Sequence, residues 1–514
     1  MAVKMFASIS IGSSETEMKI FEFSPRKGMK EIDCINTRLN LGLDVFKMNR
    51  ISTKNIDELC LVLNEFKRIM EGYRVEDYKV CATSAFRESK NILVLQDYIE
   101  KQTGLSIEVL ANSEQRFLDY KAIASVTAEF ETIIQNATAI VDIGGSSMQI
   151  SLFDKDKLIT TQNIRIGNVT TKEKLAPYEK SRTHFETMVT ELLNHELAGF
   201  NKLYQKDRQI KNLIVVGGNL IELMKRFQKA NKKITSVSKE QFLEVYGKVI
   251  NLNADELAAG FDISTEKAPI IGPSAIYCKC LMENFGVETV WLPGFSLNDG
   301  LAYDYAEKKR YIKCSHSFEE DIIAAARSIS KRYKCSQAHI RNLEGIALQV
   351  FDRMKKVHGL SERDRLLLQI SVILHNCGKF ISLEDVSECA YNIIMATEII
   401  GLSHTEREMI AYTVKFNTSA FPDYDDFDTG TSIGSNDYLR IAKLTAILRL
   451  VNALDRTHKQ KCSEVTVVLK EHELKITAAT HEDLTLEAGT FREKADFFES
   501  VFHVQPVFRQ KKTF

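Results

Sequence analysis

Two stretches of the chain carry the same pattern. Residues 7–22 read ASISIGSSETEMKIFE and residues 139–154 read AIVDIGGSSMQISLFD. Each is an alternating apolar strand, a Gly/Ser turn and a second alternating strand. Ile11-Gly12 aligns with Ile143-Gly144, and Met18, Ile20 and Phe21 align with Ile150, Leu152 and Phe153. Two chance hairpins would not hold one offset through both strands and the turn, so the pattern predicts two similar half-domains.

Mixed α/β patterning follows each hairpin. Ile56, Leu59, Leu63, Phe66 and Met70 fall at helical spacing over 53–71, with Gly72 as a stop. Lys79-Val80-Cys81-Ala82 is a short strand, and Leu213-Ile214-Val215-Val216 is a buried-type strand ending at Gly217-Gly218. Thr289-Val290-Trp291-Leu292 is another strand, closed by Pro293-Gly294. Beyond about residue 305 the character changes. Helical periodicity runs through Ile340 to Met354, Arg363 to Leu374, Ala390 to Ile400, Glu406 to Val414 and Ile441 to Asp455. The acidic stretch 421–428 reads as a solvated turn. From Glu464 alternation returns at 465–470, 474–477 and 484–487, which predicts a small β-rich end.

At 514 residues the chain has room for about three to four domains. Lys plus Arg is 68 against 69 for Asp plus Glu, which excludes a generally basic nucleic-acid coat or an acidic tail protein. The paired basic residues (Lys225-Arg226, Lys229, Lys232-Lys233, Lys308-Lys309-Arg310, Lys331-Arg332, Lys511-Lys512) read as solvated faces. Of the 10 cysteines only Cys278 and Cys280 are close, and one intervening residue is too few for zinc-type spacing. Reduced, buried thiols in a reducing compartment are expected. The N-terminus turns to polar alternation too early for a signal peptide, and no apolar run approaches about 18 residues. The expectation is a soluble cytoplasmic protein, with no membrane or nucleic-acid partner.

A Gly/Ser turn after a strand offers backbone N–H groups and hydroxyls to phosphate oxygens. One such turn carries little; two in repeat register, with Gly217-Gly218 after a third strand, predict a phosphate cleft. Ser10-Ile11-Gly12-Ser13-Ser14, the segment 82–91 (ATSAFRESKN) and Asp142-Ile143-Gly144-Gly145-Ser146-Ser147 also carry a family likeness. It extends through 103–110 (TGLSIEVL), Gly217-Gly218-Asn219 and Ser296-Leu297-Asn298-Asp299-Gly300. The whole chain resembles the Ppx/GppA family of exopolyphosphatases and guanosine pentaphosphate phosphohydrolases, within the actin-like sugar kinase and Hsp70 ATPase superfamily.

The resemblance implies an α/β fold of two actin-like (ribonuclease H-like) half-domains, 1–125 and 126–305. An all-α HD-like domain at 310–460 and a small β-rich α+β module at 461–514 would follow. It implies hydrolysis of a terminal phosphoanhydride of polyphosphate or of guanosine pentaphosphate, with Mg²⁺ and no organic cofactor, in a homodimer. Polyphosphate and guanosine tetra- or pentaphosphate are the implied partners. Gly12, Ser13, Gly144, Gly145, Ser146, Ser147, Gly217 and Gly218 match phosphate-loop positions. Arg87 matches the arginine that grips phosphate, and Asp142 an aspartate that helps hold the metal.

The chain departs from the family where the chemistry sits. The first loop has Ser10 where the family has Asp. The family's Gly-x-Glu-Glu-Ala reads Asn112-Ser113-Glu114-Gln115-Arg116, so the base position is Gln115. The second loop ends Ser147-Met148-Gln149 instead of Ser-Thr-Glu. An amide cannot take a proton from water at neutral pH, and loss of a general base is worth roughly 10²–10⁴ in rate. Mg²⁺ prefers anionic oxygen ligands. These substitutions predict phosphate binding with slow or absent hydrolysis. Two substitutes stay open: Glu114 through a local register shift, and Glu15 or Glu17 for the first-loop carboxylate. A kinase of the same superfamily is a third reading, and the 82–87 segment argues against it.

The helical region offers His339, His375-Asn376 and Asp455 with His458, like an HD motif with Asn376 in place of Asp. Glu388 and Phe416-Asn417 stand where further family histidines are expected. The reading is a structural or substrate-channel domain without metal.

Overall fold

The computed structural model describes residues 3–13, 15–24, 28–39, 41–126, 130–145, 147–178, 182–216, 218–228, 236–261, 263, 268–312, 316–427 and 433–511. Ser146 and Gly217, expected above to hold phosphate, lie outside the described residues, as do Ser14, Lys229, Lys232, Lys233, Asp428 and Lys512. The chain divides into two compact units, Met1–Phe318 and Glu319–Phe514.

The repeat becomes two sheets in the first unit. Strands β1 (Lys4–Ile11), β2 (Glu15–Ser24), β3 (Gly28–Arg38), β4 (Asp77–Ala82) and β5 (Glu108–Val109) form one sheet in the order β3-β2-β1-β4-β5. Strands β6 (Thr138–Ile143), β7 (Met148–Asp154), β8 (Lys157–Ile164), β9 (Asn212–Val216), β10 (Ser236–Ser238) and β11 (Thr289–Trp291) form the other, ordered β10-β11-β9-β6-β7-β8. In each sheet the first three strands are an antiparallel meander, and the first of them pairs in parallel with a later strand. The hairpins match residue for residue. Ile11 faces Thr16 and Ser10 faces Glu17; at the equivalent places Ile143 faces Met148 and Asp142 faces Gln149. Both turns close alike, with Gly12 N donating to Glu15 O at 2.8 Å and Gly144 N to Ser147 O at 2.9 Å.

Alternation sends each strand's side chains to two faces. Ala139, Val141 and Ile143 with Met148, Ile150 and Leu152 enter the main core of the second sheet. Asp142, Gln149 and Phe153 leave from the opposite face, and there they meet the helix Asn112–Val126: Tyr120 lies 5.2 Å from Phe153, ring to ring. The helix Leu297–Lys308 does the same for the first sheet. Tyr305 stacks on Phe6 at 4.0 Å, and Ser8 Oγ donates to Asn298 O at 3.1 Å. These two helices also cross each other closely. A Cβ at Gly300 would lie 2.1 Å from Leu118 O, so only glycine permits the approach. Lys121 Nζ secures the crossing by donating to Asp304 at 2.9 Å.

The helix expected over 53–71 forms as Thr53–Gly72, with Ser52 Oγ accepting from Asn55 N and all five predicted apolar positions buried. The helix ends at Gly72, the residue expected to stop it. The left-handed turn falls at Arg74, φ 53°, after the chain has already left the helix.

The second unit carries the helices Gln337–Arg353, Glu362–Leu374, Val386–Ala396, His404–Lys415 and Ser435–Ala453; the third lies four residues earlier than periodicity places it, because the chain turns extended at Thr397. Asp423 to Asp426 of the acidic stretch are exposed. Strands β12 (Val465–Lys470), β13 (Glu473–Ala479) and β14 (Gln505–Lys511) make a sheet in that order. The third alternating stretch, 484–487, is no strand. It opens the helix Thr485–Phe502, because Asp483 Oδ1 accepts from Thr485 N at 3.0 Å and from its hydroxyl at 2.6 Å. The buried set of that segment is Glu487, Phe491, Phe498 and Phe502, a helical face that a four-residue window conceals. Among the described residues no helix is long and apolar enough to cross a membrane.

Gly300→Ala is expected to destabilise the first unit by about 1–3 kcal/mol, because an extra methyl must enter a filled contact. Urea unfolding of the full chain reads this as a lowered midpoint; an unchanged midpoint would contradict the packing.

Candidate functional site

The first hairpin turn is fastened to the 82–87 segment. Thr83 N donates to Ile11 O at 3.0 Å, and Ser13 Oγ lies 2.9 Å from Ser84 Oγ. The short helix Ser84–Arg87 then holds Arg87, half-buried, with one terminal nitrogen donating to Leu110 O at 2.7 Å. That bond uses one of five guanidinium N–H donors and fixes the plane of the fork. Burial, opposed by Glu88, and the neighbouring charge of Arg116 lower the Arg87 pKa.

The second hairpin turn is gripped by Arg116. Its side chain is 6% exposed; Nε lies 3.4 Å from Asp142 Oδ2, and a terminal nitrogen donates to Ser147 Oγ at 3.0 Å. Gly144 O and Gly145 O accept from Asn168 N and Thr170 N at 3.0 and 3.1 Å. Across the ladder from Asp142 is Gln149, 3% exposed, whose buried Nε2 has no hydrogen-bond partner among the described residues. Burial raises the Asp142 carboxyl above its ordinary value, although the charge and hydrogen bond of Arg116 oppose the shift. Asp119, one helical turn from Gln115, is buried near this pair. Burial and then the Asp142 charge push its carboxyl well up.

The candidate carboxylates fare differently. Glu114 Oε2 accepts from Ala111 N at 2.8 Å, closing the first turn of its own helix. Glu15 Oε2 accepts from Asn36 Nδ2 at 3.2 Å on the neighbouring strand. Glu17 instead stands beside Ser10: Asn298 Nδ2 donates to Ser10 Oγ at 3.1 Å and to Glu17 Oε1 at 2.9 Å, and Ser296 Oγ donates to Glu17 at 2.5 Å. The Gln115 side chain makes no hydrogen bond among the described residues. Gly218 begins the helix Gly218–Gln228 after β9.

Mg²⁺ belongs to the chemistry expected of such a cleft, and the donor set does not fit it. Ser10 and Gln149 are neutral, Asp142 already faces a guanidinium, and Gln149 presents a hydrogen-bond donor. Among the described residues no group of three or more His, Cys, Asp or Glu is arranged to hold a metal ion.

Sequence models of known families settle the kinship. Residues 23–309 match the Ppx/GppA phosphatase family, and residues 323–494 match Ppx/GppA phosphatase, domain III. The chain belongs to the Ppx/GppA phosphatase family. A Ppx/GppA relative from Photobacterium profundum, named guanosine-5'-triphosphate,3'-diphosphate pyrophosphatase, is 18% identical over 459 residues, 86% of each chain. Exopolyphosphatase 1 of Mycobacterium leprae is 22% identical over 258 residues, covering 49% of this chain and 75% of its own. Two solved structures share the fold. The Aquifex aeolicus Ppx/GppA family member has a TM-score of 0.52 at 20% identity, over 62% of this chain and 100% of that one. An exopolyphosphatase from Cytophaga hutchinsonii has a TM-score of 0.51 at 17% identity, over 59% and 98%.

Sequence reading marked Arg116 only as a departure from the Ppx/GppA motif and gave it no task. A charged side chain in place of the family's Ala, beside the base position, was the available signal. Asn298, fully buried between Ser10 and Glu17, was legible only as a member of the family-like segment 296–300, with no task attached to it.

The histidines of the second unit do meet, and they satisfy one another. His339 Nδ1 lies 2.7 Å from Asp455 Oδ2, and its Nε2 lies 3.1 Å from His375 Nε2. His375 Nδ1 donates to Val372 O at 2.7 Å, so its Nε2 carries the one lone pair of the neutral ring and accepts from Asn376 Nδ2 at 2.8 Å. The His458 ring stacks on His339 with centroids 3.6 Å apart. Glu388 pairs with Lys415 at 2.8 Å. Burial tends to raise Asp455, but hydrogen bonds from His339 and Gln460 outweigh it and hold the carboxyl low. Burial, then the neighbouring His339, pushes His375 down to about 3.

A histidine held neutral in the fold but protonated in the unfolded chain favours unfolding as pH falls. Stability of the second unit should therefore drop from about pH 6.5 downward, toward the folded value near 3, with a slope of up to roughly 1.4 kcal/mol per pH unit for this proton. Denaturant unfolding at pH 7.5, 6.0 and 5.0 measures it, and His375→Gln should flatten the slope; an equal slope in the variant would contradict the assignment.

Proposed function

We propose that this Ppx/GppA chain binds condensed phosphate, either polyphosphate or guanosine tetra- or pentaphosphate, and hydrolyses its terminal phosphoanhydride slowly or not at all. The observation that carries the reading is the combination of two matched turns and two guanidinium groups with neutral side chains at the carboxylate positions. Gly12, Gly144 and the 82–87 segment hold the turns; Arg87 supplies a bidentate fork suited to phosphoryl oxygens. Ser10, Gln115 and Gln149 hydrogen-bond oxygen atoms but take no proton from water. Of the substitute carboxylates, Glu114 accepts from Ala111 N at the start of its own helix and Glu15 accepts from Asn36 on the neighbouring strand.

Phosphate release from long polyphosphate tests the reading. The chain should bind polyphosphate, and Arg87→Ala should weaken that binding about tenfold, the loss of a charge-assisted hydrogen bond. Ser10→Asp, Gln115→Glu and Gln149→Glu together should raise Mg²⁺-dependent release at least about 10²-fold. Brisk release by the unaltered chain that collapses in Glu114→Gln or Glu15→Gln would replace this reading with that of an active exopolyphosphatase.

A further inference from the structure

Three observations around the second hairpin turn converge. Arg116, almost wholly buried, places its guanidinium between Asp142 and Ser147. Its positive charge is also felt at Arg87. Gln149 leaves a buried N–H donor without a partner on the face shared with Asp142, and a buried donor calls for an acceptor. An oxyanion oxygen answers that need; a metal ion cannot, since an amide N–H has no lone pair to give it.

We propose that Arg116 is a tethered cation that takes the place of a divalent ion, so that this cleft holds the oxygens of a condensed phosphate without metal. The inference rests on the phosphate-binding function above and adds the residue and the charge logic by which it works. A divalent ion approaching Asp142 would meet a fixed positive charge at 3.4 Å and would have to displace it. The guanidinium cancels the one carboxylate left at the turns' metal positions, and a guanidinium is the donor type that phosphate oxygens take. The positive field no longer depends on an ion recruited from solution.

Calorimetric titration of the full chain with inorganic tripolyphosphate, in EDTA and in Mg²⁺, decides it. The chain should bind in EDTA, and Mg²⁺ should not tighten the binding. Arg116→Ala should weaken binding in EDTA more than tenfold, with Arg116→Lys retaining part of it. Asp142→Asn removes the competing negative charge and should tighten metal-free binding several-fold. Should Arg116→Ala fail to fold, judged by its thermal melt, Asp142→Asn carries the test alone, because a metal ligand would give the opposite sign. Binding that requires Mg²⁺, or Asp142→Asn that weakens it, overturns the inference and leaves phosphate binding standing. No binding in either buffer overturns both.

Discussion

Arg116 and Asp142 face each other from different elements, one on a helix and the other at the end of β6. The pair sets the charge beside the second hairpin turn. Half-buried and buried partners in a low-dielectric site attract strongly, and removing one would leave the other exposed to a desolvation cost of about 3–5 kcal/mol. The helix carrying Arg116 is pinned at its far side by Gly300 against Leu118 and by Lys121 to Asp304. The guanidinium is thus positioned by backbone packing and not by its own flexible stem. The same contact orders Ser147, so the geometry of the second turn and the charge of the site share one cause.

The two hairpins also reveal an exchange. At equivalent ladder positions the first carries Ser10 opposite Glu17, and the second carries Asp142 opposite Gln149. Each hairpin has one carboxylate and one neutral group, in swapped places. Glu17 is consumed by Asn298 and Ser296, and Asp142 by Arg116. Both acids are thus engaged by neighbouring side chains. In the second unit a comparable redirection holds. His339, His375, Asp455 and Asn376 spend their polar atoms on one another, so a motif reminiscent of a metal centre acts as a buried hydrogen-bond network.

Much of this was legible in the sequence because it follows from period and offset. The repeated strand–turn–strand predicted two sheets, and the ladders place Ile11 and Ile143 in the same register. The helix at Thr53–Gly72 follows from five apolar residues on one face. What stayed hidden depends on contacts between distant segments. No local pattern announces that Asn298 joins Ser10 to Glu17, or that Arg116 finds Asp142. The stretch 484–487 misled because four alternating residues fit a strand and the first turn of an amphipathic helix equally well; only Phe491, Phe498 and Phe502 decide between them.

The most direct test is a crystal structure of the chain grown with tripolyphosphate and Mn²⁺, read by anomalous scattering at the manganese edge. The account predicts a phosphate between Arg87 and Arg116, with no manganese peak at Asp142. A manganese peak coordinated by Asp142, with the Arg116 side chain swung away, would contradict it.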